Sequence, residues 1–334
     1  MNGREHYIYI LVASLLPFAG VLAAMVLLWN SLVGPSDIAV FVIMSVIGGL
    51  GVSIGYHRLL SHRSFKTYRP IKIFFATAGA MAGQGPPLIW VAHHRRHHRV
   101  ADKPGDPHSP YFDDQVGIRG VLKGLWHSHL GWLFDKDLSS DPVRYCPDLC
   151  RDADIRFLSI RFVPVVLAGL LLPGVLGFAF TGGTLAGFLT GILWGGLVRM
   201  FIGNHVTYAV NSIGHYFGHR RFDTADESRN VFWLSLPSFG ESWHNNHHAF
   251  PRSARHGFRW WEIDLSAITI YTLEKLHLAW DVVRIDPEKV RMRADGLTRV
   301  GSGRAAPHQP SRPLAERGQA STKDLAPVDV ADVE

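Results

Sequence analysis

Four long stretches without a charged residue or a histidine decide most of what this chain can become: residues 7–29, 38–55, 162–180 and 185–198. An apolar segment of about 20 residues is long enough, as a helix, to cross the ~30 Å hydrocarbon core of a bilayer. A helix also satisfies its own backbone polar groups, as lipid demands. The sequence therefore predicts four membrane-crossing helices, at about residues 7–29, 38–55, 162–180 and 185–203. The turn N-S-L-V-G-P-S-D joins the first pair and T-G-G-T joins the second, giving two hairpins. Pro164 and Pro173 are tolerable there because neighbouring helices re-satisfy freed backbone groups. The first run is too long for a cleaved leader, and a second span follows at once.

Orientation follows from Lys and Arg. The turns at 30–37 and 181–184 contain neither, whereas Arg58, Arg63 and Lys66 follow the second span, Arg156 and Arg161 precede the third, and Arg199 follows the fourth apolar run. The positive-inside rule then places both termini and the central polar block on the cytoplasmic side. The same rule absorbs the formal net charge of +6; no nucleic-acid-binding motif and no internal repeat is present. Residues 71–88 contain Lys72, Gln84, Pro86 and Pro87, which leaves too short a run to span and predicts an interfacial or cytosolic helix. Residues 262–283 read as an amphipathic cytosolic helix. From about Asp295 the chain is rich in Pro, Ala, Gly and Ser with mixed charge, the composition of a disordered tail. The expected architecture is an all-α integral membrane protein: a domain of residues 1–294 with four transmembrane helices in two hairpins under a cytosolic helical cap, and a tail of 295–334. Cys146 and Cys150 are the two cysteines, too few for a disulfide framework, and read as incidental thiols rather than a redox pair.

The polar blocks carry the second signal. W-H-N-N-H-H-A-F places His244, His247 and His248 at i, i+3 and i+4, one face of a helix. H-H-R-R-H-H repeats that spacing with His94, His97 and His98. H-R-L-L-S-H supplies His57 and His62 just past the second span, and N-S-I-G-H supplies Asn211 and His215 past the fourth. Nine of nineteen histidines thus fall in four short segments on one side of the membrane. A helix from Leu185 to His215 would be about 45 Å long at 1.5 Å per residue, so it would project from the bilayer and carry Asn211 and His215 above it. His57 and His62, at i and i+5, do not share an α-helical face, which suits ligands reaching different metals or a helix ending between them.

Nine imidazoles exceed the needs of one metal; two metals with four or five ligands each account for them. Imidazole suits zinc, copper, iron and nickel alike. Structural zinc closes at four ligands and does no redox chemistry, whereas a pair of irons with an open position could activate oxygen. Metal-bound histidine usually donates its other N–H to a carboxylate, and Glu241, Asp102 and Asp106 are candidates; for the two aspartates, capping or surface charge would serve equally. His93, His108, His127, His129, His205 and His219 fall outside the boxes and are expected to be supporting or surface residues. The small residues from Gly48 to Gly55 could line an acyl channel or permit close helix packing. A basic patch of Arg58, Arg63, Lys66, Arg95, Arg96 and Arg99 could hold a phosphorylated head group or merely obey the positive-inside rule.

At this point the sequence resembles the membrane fatty acid desaturases of the stearoyl-CoA type. The resemblance runs from about Gly55 to Val283 and rests on HRLLSHRSF, HRRHH followed by GDPHSP, HSHLGWLF, NSIGHYFGHRRFD and GESWHNNHHAFP. It implies that His57, His62, His94, His97, His98, His215, His244, His247 and His248 bind two irons, with Asn211 reaching one of them through water. It implies oxygen-dependent insertion of a cis double bond, at carbon nine, with O2 reduced to two waters. Gln84, Trp90 and Thr207 match residues that shape the bend of the acyl tunnel; otherwise Trp90 reads as an interface aromatic and Thr207 as an ordinary helix residue. Ala92 and His93 stand where the acyl-CoA enzymes of animals carry Arg and Asp, so the resemblance leaves acyl-CoA, acyl carrier protein and glycerolipid open as carriers. No fused haem domain is seen, so electrons are expected from a separate ferredoxin- or flavoprotein-type donor. The length suits a bacterial enzyme in the inner membrane.

Two rivals stand beside this reading. A hydroxylase or alkane monooxygenase of the same di-iron superfamily would insert oxygen, and the flanks of the third box favour desaturation over it. A histidine-rich metal transporter would place ligands near the bilayer midplane, but here the apolar runs contain none.

Overall fold

The computed structural model describes residues 15–29, 33–112, 117–135 and 138–301. The beginning of the expected first span and most of the expected tail lie outside the described residues. The principal elements are α1 (Leu16–Trp29), α2 (Pro35–Ser61), β1 (Lys66–Thr67), α3 (Arg69–Met81), α4 (Pro87–Val100), α5 (Gly117–His129), α6 (Ala153–Ile160), α7 (Phe162–Phe180), α8 (Leu185–Tyr216), α9 (His244–Ala249), α10 (Leu265–Lys275), β2 (Ala279–Trp280) and α11 (Pro287–Gly301).

Among the described residues, α2, α7 and α8 are long and apolar enough to cross a membrane, at 27, 19 and 32 residues. The apolar helix α1 is shorter. α7 and α8 pack backbone to backbone: a Cβ on Gly177 would overlap Gly187, and one on Gly191 would overlap Pro173. This is the usual role of small residues between apolar helices. α8 is continuous over 32 residues, about 48 Å at 1.5 Å per residue, which exceeds the ~30 Å hydrocarbon core of a bilayer.

Arg199 departs from the sequence reading. It is not a flanking charge past the fourth run but a buried clamp inside α8. Its guanidinium donates to the carbonyls of Gly195 (3.0 Å), Met81 (3.2 Å) and Gly169 (3.1 Å), tying α8 to α3 and α7. A delocalised cation with five donors can meet three carbonyls at once, so no carboxylate partner is needed.

α3 does not cross the bundle but folds back along α2, as its length required. Ala76 and Ala80 of α3, Tyr56 and Leu60 of α2, and Val166 and Leu170 of α7 share one core. The glycines of α2 divide between the two roles left open by the sequence. Gly51 and Gly55 let α3 approach, since a Cβ on either would strike the backbone of residues 75–79. Gly48 and Gly49 line a cavity instead. The expected helix at 262–283 is shortened to α10, capped by Asp264 Oδ1 accepting from Ala267 N–H (2.9 Å). Its tail becomes β2, paired antiparallel with β1 so that Lys66 faces Trp280. This small pairing is an exception to the all-α expectation. The expected domain boundary at 294 falls inside α11. Cys146 is buried and Cys150 half-buried, and both are free thiols.

Candidate metal centre

The nine box histidines converge in two groups. His57, His62, His94, His98 and His247 form one; His97, His215, His244 and His248 form the other. Each H-x-x-H-H box is split between them: at 3.6 residues per turn the i and i+4 rings lie about 40° apart and go together, while the i+3 ring lies to one side of both and goes to the other group. On α4, His94 and His98 turn to the first group and His97 to the second. On α9, His247 turns to the first and His244 and His248 to the second.

α2 explains how His57 and His62 meet. Its last turns, from Gly51 to Ser61, are wound wide, with i→i+5 hydrogen bonding, and His62 N–H donates to His57 O (3.1 Å). A wider turn brings residues five apart nearly into register, and such turns concentrate at functional sites. The two rings lie 4.9 Å apart in the same group. Of the two readings offered for that spacing, different metals or a helix ending between the residues, the structure fits the second: the helix ends at Ser61 and both rings fall in one group.

α9 has only six residues, far below the length at which a helix is stable alone. The two asparagines inside its box hold it. Asn245 Oδ1 accepts from Arg221 N–H (2.8 Å) and Phe222 N–H (2.7 Å), while its amide donates to Phe222 O (3.1 Å). Asn246 donates to His256 O (2.8 Å) and Glu262 (3.0 Å) and accepts from Asn230 (2.8 Å). Both side chains are fully buried.

Carboxylates stand behind the rings. His97 Nδ1–H donates to Asp106 (2.9 Å), His215 Nδ1–H to Asp102 (2.7 Å) and His248 Nδ1–H to Asp226 (3.0 Å); Glu241 lies against His57 Nδ1. The three carboxylates anticipated from the sequence thus take this role. Asp226 was missed, since it lies far from every box, in the loop after R-R-F-D. Asp102 sits at φ +57, a left-handed conformation that aspartate adopts more readily than most residues. From there it also accepts from Ser109 Oγ (2.6 Å), while its own N–H donates to Asp106 (2.8 Å). Burial works to raise all four carboxyls, but their histidine partners, and Arg58 beside Glu241, hold them below the ordinary range. They are anions at neutral pH.

These bonds test whether the site fits a metal. A neutral imidazole that donates through Nδ1 presents a bare lone pair at Nε2. His97 and His248 each donate through Nδ1, yet their Nε2 atoms face each other at 3.3 Å. His215 Nε2 faces His244 Nε2 at 2.9 Å, and His247 Nε2 faces both His57 (3.0 Å) and His98 (2.9 Å). At the His97–His248 contact two lone pairs are opposed, and they repel unless a cation lies between them. Burial pushes His62, His94, His98, His244 and His247 well below their ordinary range, and repulsion between neighbouring rings adds to it. Those five rings are thus held in the neutral form that binds metal. The all-nitrogen donor set with carboxylates behind it fits two transition-metal ions.

The two groups border a cavity of about 510 Å³. His57, His94, His97 and His244 lie in its wall together with Asn211, and so do Gln84, Trp90 and Thr207. Gln84 Nε2 donates to Thr207 Oγ1 (2.8 Å), bridging the end of α3 to α8, and the Trp90 indole stacks on His94 with centroids 5.1 Å apart. Most of the remaining lining is apolar, including Phe41, Val42 and Val46 of α2 and Ile202 and Val206 of α8, with Ser45, Ser53, Ser238, Arg199 and Glu241 as its other polar members.

The basic patch loses two of its six members to the interior, Arg58 and Arg95, while Arg63, Lys66 and Arg99 stay exposed. Arg58 is fully buried between Glu241 and Asp264 (3.1 Å); Arg95 is buried on Asp148 (2.6 Å) and the Leu60 and Ser61 carbonyls. Arg96 caps Gly105, Leu138 and Ser139, Arg63 pairs with Asp148, and Lys66 pairs with Asp281. Among the histidines outside the boxes, His256 went unremarked in the sequence. It is fully buried, accepts from Arg58 through Nδ1 (3.0 Å) and stacks beside His247 at 4.5 Å. His108 lies against His97 (4.4 Å between centroids), and His129 joins His205 (2.9 Å) away from both groups.

His93 offers a pH prediction free of the metal groups. Burial, with Arg96 adding, pushes its pKa down to about 4. The unfolded chain takes up a proton there that the folded chain refuses, so this share of stability is whole above about pH 6.5 and is lost as the pH falls toward 4. Thermal unfolding of His93→Gln should show a shallower acid limb than the native chain. An unchanged limb would show that His93 is not a source of the acid sensitivity.

Two nitrogen-lined groups seated over long apolar helices, opening on an apolar cavity, define a class of membrane-associated histidine-box proteins. Comparison with known proteins narrows it. A family model described as fatty acid desaturase matches residues 35–267. A hex-5-enoyl-(acyl-carrier protein) acetylenase of Moorena producens (strain JHB) is 43% identical over 277 residues, 82% of this chain and 85% of that one. An sn-1 stearoyl-lipid 9-desaturase of Anabaena variabilis is 39% identical over 246 residues, 73% and 82% of the two chains. Delta-9 acyl-lipid desaturase 1 of Arabidopsis thaliana is 41% identical over 255 residues, 76% and 77%. The chain belongs to the fatty acid desaturase family, and it is an oxidoreductase of that kind.

Proposed function

We propose that this chain is an oxygen-dependent desaturase that places a cis double bond, at carbon nine, in a saturated acyl chain held in the cavity between α2 and α8. The observation that carries the reading is the shared wall, in which ligands of both histidine groups and the Gln84–Thr207 bridge face one apolar space. His57, His62, His94, His98 and His247 would hold one iron, and His97, His215, His244 and His248 the other, with Asn211 toward the second. Two irons would supply the oxygen-activating chemistry that removes two hydrogens from neighbouring methylenes, with O2, two electrons and two protons leaving as two waters. The protein's own part is positional, because all methylenes of a chain are alike in reactivity. The apolar walls exclude water, Trp90 and the Gln84–Thr207 bridge bend the chain, and Asp102, Asp106, Asp226 and Glu241 fix the rings. Electrons would come from a separate ferredoxin- or flavoprotein-type donor. Relatives named for acyl-lipid and for acyl-CoA substrates are about equally identical to this chain, and both support an acyl chain as the substrate. The same reading places four spans in two hairpins across a bacterial inner membrane, with the cap and both termini on the cytoplasmic side.

The test is a fatty acid profile, with double bonds located by mass spectrometry, from a host lacking desaturase activity and supplied with an electron donor. A new Δ9 monounsaturated acid supports the proposal, and a hydroxy acid sinks it. The acetylenase relative supports a second reading, in which the substrate already carries a double bond. An alkyne formed only from a supplied unsaturated acid would establish that reading.

A further inference from the structure

We infer that the two metal positions are electrostatically unequal, and that the four-histidine position is built to hold the higher oxidation state. The inference rests on the reading that the nine histidines bind two irons. Three of that position's four rings donate to carboxylates, Asp106, Asp102 and Asp226, at 2.9, 2.7 and 3.0 Å. Those carboxylates have side-chain exposures of 0%, 5% and 11%, and no Lys or Arg pairs with them among the described residues. The five-histidine position has one carboxylate in contact, Glu241 on His57, and Arg58 lies on that same carboxylate. Arg58 also takes Asp264, so this cluster of three charges sums to one net negative against three at the other position.

The consequence is directional. A carboxylate behind an imidazole makes it a stronger donor to a metal, and buried anions favour the more highly charged ion. Ferric iron gains most where three anions stand behind the ligands. With iron held at both positions, the first electron removed from the reduced protein would come from the four-histidine side.

The experiment uses the full chain loaded with 57Fe in detergent, reduced, and oxidised stepwise with ferricyanide under Mössbauer observation. Half of the iron should turn ferric before the rest. Asp226→Asn and Asp106→Asn, on separate elements, should each shift that first step upward by about tenfold in its equilibrium constant, 59 mV for one electron. Glu241→Gln should leave the first step in place. Oxidation of both halves at one potential in the native chain would overturn the inference without need of any variant. So would a first step moved by Glu241→Gln and not by either aspartate change. A chain that fails to retain two irons by metal analysis would instead overturn the reading beneath it.

Discussion

His244→Ala and His247→Ala should both leave no detectable unsaturated product, yet they should differ in the iron they keep. Outer partners of metal ligands typically matter 10–100-fold, and loss of a ligand itself should exceed that. Retention follows from the unequal groups. Removing His247 leaves His57, His62, His94 and His98, still a four-nitrogen set of the kind that closes a metal site. Removing His244 leaves three nitrogens in a group that began with four. Metal analysis after dialysis against a weak chelator should find the His244→Ala chain depleted toward half its iron, and the His247→Ala chain closer to the native content. Equal depletion would contradict the partition, and activity in either variant would contradict the site.

Arg58→Leu should be among the most destabilising single changes around the histidine groups. The guanidinium is fully buried and touches Glu241, Asp264, His256, Ser53 and the Ala254 carbonyl. Removing one partner of a buried ion pair costs about 3–5 kcal/mol, because the other charge stays buried and unpaired. In a chain whose whole stability is of order 5–15 kcal/mol, unfolding followed in detergent should shift down by about 6–20 °C. Arg63→Leu, five residues along in the same motif, should shift it little. Its side chain is 46% exposed on Asp148, and exposed pairs contribute about 0–1 kcal/mol. Adding Glu241→Gln to Arg58→Leu should recover part of the loss. No recovery would place the cost in packing rather than in the stranded charge.

The same two arginines mark where sequence reading stops. H-R-L-L-S-H-R presents Arg58 and Arg63 as equals, and only tertiary packing makes one a buried hub and the other a surface residue. The long apolar runs and the i, i+3, i+4 boxes were legible because each is a local pattern that helix geometry converts directly into a face. The split of each box between two groups was not, because it depends on where α2 and α8 deliver His57, His62 and His215. Asp226 lies 22 residues from the ring it meets, in a loop with no periodic signal. Arg199 followed an apolar run and so counted as a flanking charge, although three carbonyls from packed helices make an interior place for it. Gln84, Trp90 and Thr207 have no local signature at all; they carried meaning only through the family resemblance, and the cavity wall unites them.

The distance along the chain between the rings has a consequence in time. His57 and His247 stand 3.0 Å apart but 190 residues apart in sequence, and each group draws on the last box. At a synthesis rate of about 5–20 residues per second, His57 emerges roughly 10–40 s before its partner exists. The first histidine group is not complete until residue 247 has been made, nor the second until residue 248, so a ribosome stalled short of them leaves a chain that has its apolar helices but neither group finished.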